Sequence, residues 1–471
     1  MSASRSPRLG LPDRPGEPAS PRGRGHHRRR AGRGQSSAGR RTPREATDSE
    51  PARGGLCWDH DPAVSGARRR AGLRWRASMS IVQRSRGLQF GPLGESAKKF
   101  IKPVAMRGLL LKERMQSGAM YPPLNDGFQQ DPYPTYETLR SKDPVHWSEL
   151  THGWVISRFE HVDSMLRDHK RFGSDERRAG GAAPPYTPPF PEGRSLLVID
   201  PPDHTRLRAL VSRAFTPRAI ANLEPHIEQM VDEALSQIPE NEPFDLMERL
   251  AHPLPITIIA EMIGVPPEDR QRFQDWSERV ARILEPTITP AEMQAALVAA
   301  AELSDYFRVI IEQRRADPQD DMINRLIADE EEGEKLSMDE MLSMLRLLLA
   351  AGNETTTNLI GNGMLALLRH PDQLRQLQEN PDLAAAAVEE LLRYDGPVQT
   401  DGRTVLEDME LEGKQLKRGQ PLILLIGSAN RDGQAYEHAD ALDITREGQP
   451  HIAFGRGIHH CLGAPLARLE G

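Results

Sequence analysis

Cysteine is nearly missing from this chain: Cys57 and Cys461 are the only two in 471 residues. Two cysteines cannot staple a chain of this size, so a disulfide framework is excluded. Such scarcity suits a reducing cytosol, where a lone cysteine is more often a ligand or a nucleophile than a staple. Long hydrophobic runs are missing as well. No window approaches the roughly 18 consecutive apolar residues a membrane helix needs, which predicts a soluble, cytoplasmic protein with no membrane partner. Lysine is absent from residues 1–78, which hold 18 Arg and 7 acidic residues, a net of +11; the rest must carry −18 to reach the total of −7. That head has no apolar h-region and too much Gly and Pro for an amphipathic transit peptide. Without aromatic interleaving or helical period it is no nucleic-acid arm either. Its composition predicts a disordered tail, or a start read upstream of Met79.

What remains is globular in composition, with 38% apolar and 27% charged residues, enough for one large domain or two to three ordinary ones. Structure is expected to begin near Asp131, with 79–124 a linker and lead-in. Residues 131–168 read as a short helix, two strands ("PVHWSEL", "GWVISR") about a Thr-His-Gly turn, and a second helix. The Gly/Pro stretch 179–194 is long enough to be a lid or binding loop. From Asp203 to about Ile311 helical periods dominate, broken at Pro217, Pro243, Pro253–Pro255 and Pro266–Pro267. Ser337 and Glu340 form a capping box, and the helix it opens continues to Arg369, where His370-Pro371 stops it. At 1.5 Å per residue it is about 48 Å long. Two short helices follow, then strand-like "RTVL" and "QPLILLIGSA", then an irregular stretch over 427–453. No repeat is present. The fold class this predicts is mainly α with small β-sheets.

Cys461 lies in "FGRGIHHCLG", Phe454 to Gly463. Gly455 and Gly457 permit backbone angles and close approaches that a Cβ resists, so they predict a tight turn around the sulfur. Helical pattern resumes in "LGAPLARLE", with Pro465 tolerable in a first turn. Cys461 is thus placed at a helix N-terminus, where free N–H groups favour a thiolate. Zinc would need more ligands than His459 and His460 supply, and no second cysteine pairs with this one. A nucleophile with His459 or His460 as base requires neighbours on a turn to point the same way. A buried inert cysteine is a further alternative. A single axial thiolate on haem iron needs one protein ligand, and one is present.

The stretch resembles the haem-binding loop of the cytochrome P450 family, Phe-Gly-x-Gly-x-(Arg/His)-x-Cys-x-Gly, at Phe454, Gly455, Gly457, His459, Cys461 and Gly463. Three further motifs resemble the family in the correct order. "AGNETT", Ala351 to Thr356, interrupts the apolar run of the long helix with small and polar residues; a buried Thr hydroxyl there can bond back one turn and open the helix ladder. "EELLR" places Glu390 and Arg393 on one helix face, to meet an arginine of the irregular stretch, Arg446. "HTRLR" supplies His204 and Arg208.

The resemblance covers about residues 125–471 and implies a triangular, helix-rich prism with haem between the long helix and the helix after Cys461. It implies haem b held by Cys461, with His204, Arg208, Arg403 and His459 as propionate donors and Ala351, Gly352, Phe454, Gly455 and Gly463 around it. Glu354 and Thr355 match the family's acid–alcohol pair for proton delivery. The activity implied is monooxygenation, with O2 as co-substrate and a hydrophobic small molecule hydroxylated or epoxidised beside Leu347, Leu348 and Ala351. Electrons would come from NAD(P)H through a ferredoxin or flavodoxin and its reductase, with Arg456 a candidate docking contact and the enzyme a monomer. A haem-thiolate peroxygenase and a non-catalytic haem-binding protein are the alternatives. Against the family pattern, the chain stops within the helix after Cys461, which predicts that the last C-terminal elements are missing.

Overall fold

Structure begins earlier than expected. A computed structural model describes residues 95–180, 193–239, 242–284, 288–331 and 336–471, all within a unit running from Trp75 to Gly471. The basic head, Cys57 and all but the ends of the 179–194 loop lie outside the described residues. Helix α1 (Glu95–Ser117) and the short α2 (Asp126–Gln130) occupy positions expected to be lead-in. Pro103 and Gly108 lower the helical propensity of α1, and tertiary contacts offset that. Glu113 of α1 is 1% exposed; its carboxylate accepts N–H bonds from Tyr121 at 3.0 Å and Glu149 at 2.7 Å, and a hydroxyl bond from Ser148 at 3.1 Å.

Next come α3 (Tyr133–Lys142), the antiparallel pair β1 (Val145–Ser148) and β2 (Gly153–Ile156), and α4 (Phe159–Arg167), all as the sequence predicts. His152 takes a positive φ of 52° in the turn. Strand β3 (Phe172–Gly173) is too short to read from sequence. The helical region holds α5 (Asp203–Ser212), α6 (Pro217–Ala221), α7 (Glu224–Ser236), α8 (Pro253–Ile263), α9 (Arg270–Ala281), α10 (Pro290–Ala316) and α11 (Met322–Glu331). Pro217 and Pro253 act as helix starts, since Pro at the first position sacrifices no hydrogen bond.

Helix α12 (Met338–Arg369) has 32 residues, and both halves of the Ser337–Glu340 capping box are made. Its N-terminal half packs Leu342, Leu345 and Leu349 into a core shared with Ile258, Phe273 and Phe307. Further along, Leu359, Ala366 and Leu367 join Val388, Leu391 and Leu392 of α14. Burial on several sides explains why its apolar stretch is near-continuous rather than a single stripe. Helices α13 (Pro371–Glu379) and α14 (Ala384–Asp395) follow.

Strand β4 (Thr400–Val405) pairs with β7 (Pro421–Leu425), and the five-stranded sheet runs β1-β2-β7-β4-β3, with β2 and β7 parallel. A separate hairpin, β5 (Met409–Leu411) with β6 (Lys414–Leu416), was not legible in the sequence. The end of "QPLILLIGSA" is helical, as α15 (Ile426–Ala429), rather than strand. The chain closes with α16 (Ala464–Glu470). The fold is mainly α with small sheets, as the composition predicts.

Arg393 and Glu390 of α14 are joined by two bonds of 2.7 and 2.8 Å, and Arg446 reaches both Glu390 oxygens at 3.1 Å. This buried group ties α14 to the irregular stretch.

Candidate active site

Both glycines of the Cys461 loop have left-handed backbone, with φ of 68° at Gly455 and 69° at Gly457. They differ in surroundings. A Cβ on Gly457 would stand 2.5 Å from the Leu166 carbonyl oxygen, whereas at Gly455 the nearest atom is 3.9 Å away. The turn closes with Cys461 N–H donating to the Phe454 carbonyl at 2.8 Å and Gly455 N–H to Ile452 at 2.9 Å. The Arg468 guanidinium lies 4.6 Å over the Phe454 ring. Gly463 precedes α16, and a Cβ there would meet nothing within 4 Å, so the backbone beside the sulfur has open space next to it.

Cys461 is exposed by surface area, yet protein atoms crowd the sulfur closely enough that desolvation raises the thiol pKa. The N–H groups of Gly463 and Ala464 and the Arg208 charge pull it down and are outweighed. The thiolate-favouring helix end anticipated from sequence is in place, and burial opposes it.

The four expected carboxylate donors do not play equal parts. His204 is 1% exposed, its two ring nitrogens are buried without a hydrogen-bond partner, and its ring lies 4.2 Å from that of His459. Burial, with the His459 and Arg208 charges adding to it, pushes His204 down to about 4. Burial and the neighbouring positive charges thus disfavour the charged ring. His459 Nε2 is buried and unpartnered, 3.8 Å from an Asp200 oxygen. Arg403 uses Nη1 on Asp401 at 2.8 Å and the Gly402 carbonyl at 2.6 Å, while its buried Nη2 has no partner. Arg208 donates to the carbonyl of His460 at 2.5 Å, which ties α5 to the Cys461 loop. Buried polar atoms lacking partners are uncommon; the three on His204 and Arg403 fit a ligand bearing carboxylates, whereas His459 Nε2 faces Asp200.

On α12, Thr355 Oγ1 donates to the Ala351 carbonyl at 2.7 Å. The helix runs unbroken through this turn, so the local opening expected there does not occur. Glu354, Thr355, Ala351, Leu347 and Leu348 are all half-buried. Gly352 is set against α8, where a Cβ would lie 3.3 Å from Ile259 Cγ1, so its smallness serves helix packing. Polar groups not singled out from sequence gather here too. Asn353 donates to Ser277 Oγ at 3.1 Å and keeps a buried, unpartnered Oδ1. Thr357 Oγ1 donates to the Ala251 carbonyl at 2.9 Å. Burial pushes the Glu470 carboxyl up to about 8, opposed by a hydrogen bond from Thr356. The signal for Glu470 in the sequence is an acid at a core-facing position of "LARLE".

Arg456 is not the free docking contact its position suggested. It binds the carbonyls of Pro450 and His451 at 3.1 and 2.8 Å and Asp163 of α4 at 3.3 Å, so it braces the loop from within. Among the described residues no group of three or more His, Cys, Asp or Glu side chains is placed to hold a metal ion, so His459, His460 and Cys461 gain no further ligand for zinc. No described helix is long and apolar enough to cross a membrane.

Residues 147–471 match the family model for cytochrome P450. The chain belongs to the cytochrome P450 family, whose members are haem-iron oxidoreductases that incorporate oxygen from O2. A cytochrome P450 of Priestia megaterium, CYP107DY1, is 45% identical over 276 residues, 59% of this chain and 67% of the relative. Vitamin D(3) 25-hydroxylase of Pseudonocardia autotrophica is 41% identical over 73% of this chain and 84% of its own. The solved structure of the Bacillus subtilis bacillaene polyketide synthase cytochrome P450 PksS superposes with a TM-score of 0.68 at 40% identity, covering 74% of this chain and 89% of that one.

Proposed function

We propose that Cys461 is the axial thiolate of a haem b and that the chain is a monooxygenase placing one oxygen atom of O2 into a hydrophobic small molecule, by hydroxylation or epoxidation. The observation that carries this reading is the glycine-built Cys461 turn together with buried, unpartnered nitrogens on His204, whose ring packs on His459 of that turn, and on Arg403. Carboxylates are the natural partners of such donors, and charge-assisted bonds to them are the strong ones. Haem, when bound, supplies the activation of O2.

The chain's own residues do the rest. Gly455 and Gly457 hold the turn that presents Cys461, and Arg208 fixes that turn to α5. Thr355 donates its hydroxyl hydrogen bond to the Ala351 carbonyl, which leaves the hydroxyl oxygen free to accept a hydrogen bond from a water; Glu354, one residue before it, is the acid that would supply the proton to that water. Leu347 and Leu348, beside Ala351, offer substrate an apolar wall and keep bulk water out. Electrons arrive singly from a ferredoxin or flavodoxin with its NAD(P)H-dependent reductase, docking on the Cys461 side. Relatives named for a secosteroid and a polyketide pathway support a substrate of that bulk.

The test is spectroscopic. The haem-loaded chain, reduced under carbon monoxide, is expected to show the strongly red-shifted Soret band of thiolate ligation, and Cys461→Ser is expected to lose it while keeping its far-ultraviolet dichroism. A mutant that keeps the band overturns the ligand. Spin-state shifts across a panel of secosteroids, steroids and macrolides then sort substrates.

A further inference from the structure

We infer that Asp200 is a positioning residue for the cofactor: its buried carboxylate holds His459 from behind, so that this ring presents its other nitrogen, Nδ1, to a haem carboxylate. The inference rests on the haem reading above.

Four residues converge on this one side chain, which is 1% exposed. Ser174 and Asp175 each donate a backbone N–H to it at 3.1 Å, from the turn after β3. Arg178 donates a guanidinium N–H at 2.8 Å. His459 faces it from the Cys461 loop, Nε2 to Oδ1 at 3.8 Å, an electrostatic contact just beyond hydrogen-bond length. The Asp200 carbonyl meanwhile accepts the N–H of His204, whose ring packs on that of His459. Space has been made for the carboxylate as well. A Cβ on Gly173 would stand 2.6 Å from Asp200 Oδ2 and 2.9 Å from Leu406 Cδ1, so only glycine admits the acid there.

An aspartate serving only to cap the β3 turn would be satisfied by Ser174, Asp175 and Arg178. The buried, unpartnered Nε2 of His459 aimed at it needs a separate account. Histidines that bind a group through one nitrogen commonly fix ring orientation through the other, against a carboxylate; between two carboxylates the ring donates to both only when both nitrogens carry hydrogen, a state that an anion behind Nε2 favours. Burial works to raise the Asp200 carboxyl, but His459, Arg178 and the two N–H groups hold it well below the usual range, so the acid faces the ring as an anion.

The experiment is a double-mutant cycle on haem release, using the full haem-loaded chain and excess apomyoglobin as acceptor. Asp200→Asn is expected to speed haem transfer about tenfold, and less than about twofold when introduced into His459→Ala, because the residue acts through that ring. Acceleration of equal size in both backgrounds makes Asp200 a purely structural acid and overturns the inference, as does no acceleration in either. Urea midpoints measured in parallel report the structural share, which is the same in both backgrounds. Should Asp200→Asn not fold, Asp200→Glu, which shifts the charge by one methylene, is judged by the same criterion. If the unmutated chain lacks the thiolate Soret band, the haem reading itself fails, an outcome separate from a loaded chain in which Asp200 and His459 act independently.

Discussion

Arg393 and Arg403 stand ten positions apart, both are buried, and they meet opposite fates. Arg393 has every guanidinium N–H engaged: two bonds to Glu390, one each to the carbonyls of Asn430, Ala439 and Ala441. Arg403 has a buried Nη2 with nothing to bond. The same side chain, similarly desolvated, is a structural rivet in one place and an open receptor in the other. Burial alone does not separate the two roles, because a saturated network rigidifies whereas an unsaturated one waits for a partner. The unsaturated kind is found on His204, His459 and Arg403, while around Glu390 none is found among the described residues.

Breaking the saturated network should have the largest effect. Glu390→Ala strands the charges of Arg393 and Arg446 and is expected to cost about 3–5 kcal/mol, a large part of the 5–15 kcal/mol typical of a folded chain. Urea denaturation measures it, and a loss below about 1 kcal/mol would show the network to be dispensable. Next in size comes the turn between the two regions. Gly457→Ala adds a clash with the Leu166 backbone to an unfavourable φ and should cost about 2 kcal/mol or more; Gly455→Ala, with the same φ and open space, should cost about 1 kcal/mol. Equal losses would mean that the approach to α4 is elastic.

Arg403→Ala sharpens the contrast from the other side. In the haem-free chain stability from urea denaturation should fall by only about 1–2 kcal/mol, since the Nη1 bonds to Asp401 and Gly402 are lost but Nη2 has no partner to lose. Haem affinity, read by titration, should fall about tenfold. A large loss of haem-free stability would return Arg403 to the structural class.

The smallest expected effect lies at a third buried group. His146 sits between Asp143 at 2.9 Å and Glu113 at 3.3 Å, using both ring nitrogens, and both can donate only when the ring is charged. Burial lowers its pKa, but the bonds to Asp143 and Glu113 outweigh that and raise it. Lys414, 3.3 Å from Asp143, is the nearby cation. A folded pKa above the unfolded one, about 6.5, means that the stabilisation is complete below that pH and fades as pH rises through the folded value. A urea midpoint series in pH should show this decline, and His146→Gln should flatten it; an unchanged slope in the mutant assigns the decline to other groups.

Much of the site could be read from local sequence because local rules make it. A capping box, an i,i+3 pair and two glycines before a cysteine act over a few residues, and Ser337, Glu390, Gly455 and Gly457 all fell where those rules put them. What escaped was built across the chain. Nothing near Asp200 says that it will meet His459, or that Gly173 is small on its behalf. Helix α1 was missed because Pro103 and Gly108 argue against it locally, while the pocket around Glu113 comes from residues 121–149. The packing of Gly352 was not legible because its neighbour, Ile259, belongs to another helix.

The sheet order has a consequence for how the protein is made. Strand β2 pairs in parallel with β7, Trp154 opposite Leu422, across 268 positions of chain. At ribosomal rates of about 5–20 residues per second, β7 emerges roughly 13–54 s after β2. For that interval the β1–β2 hairpin exists alone, and isolated hairpins are marginal. Its apolar face, with Val145, Trp154 and Ile156, belongs to a cluster whose other members include Leu422, Leu424 and Ile452. The nascent chain therefore carries an uncovered strand edge throughout that interval, and its yield of folded protein depends on keeping that edge apart from its neighbours until β7 arrives.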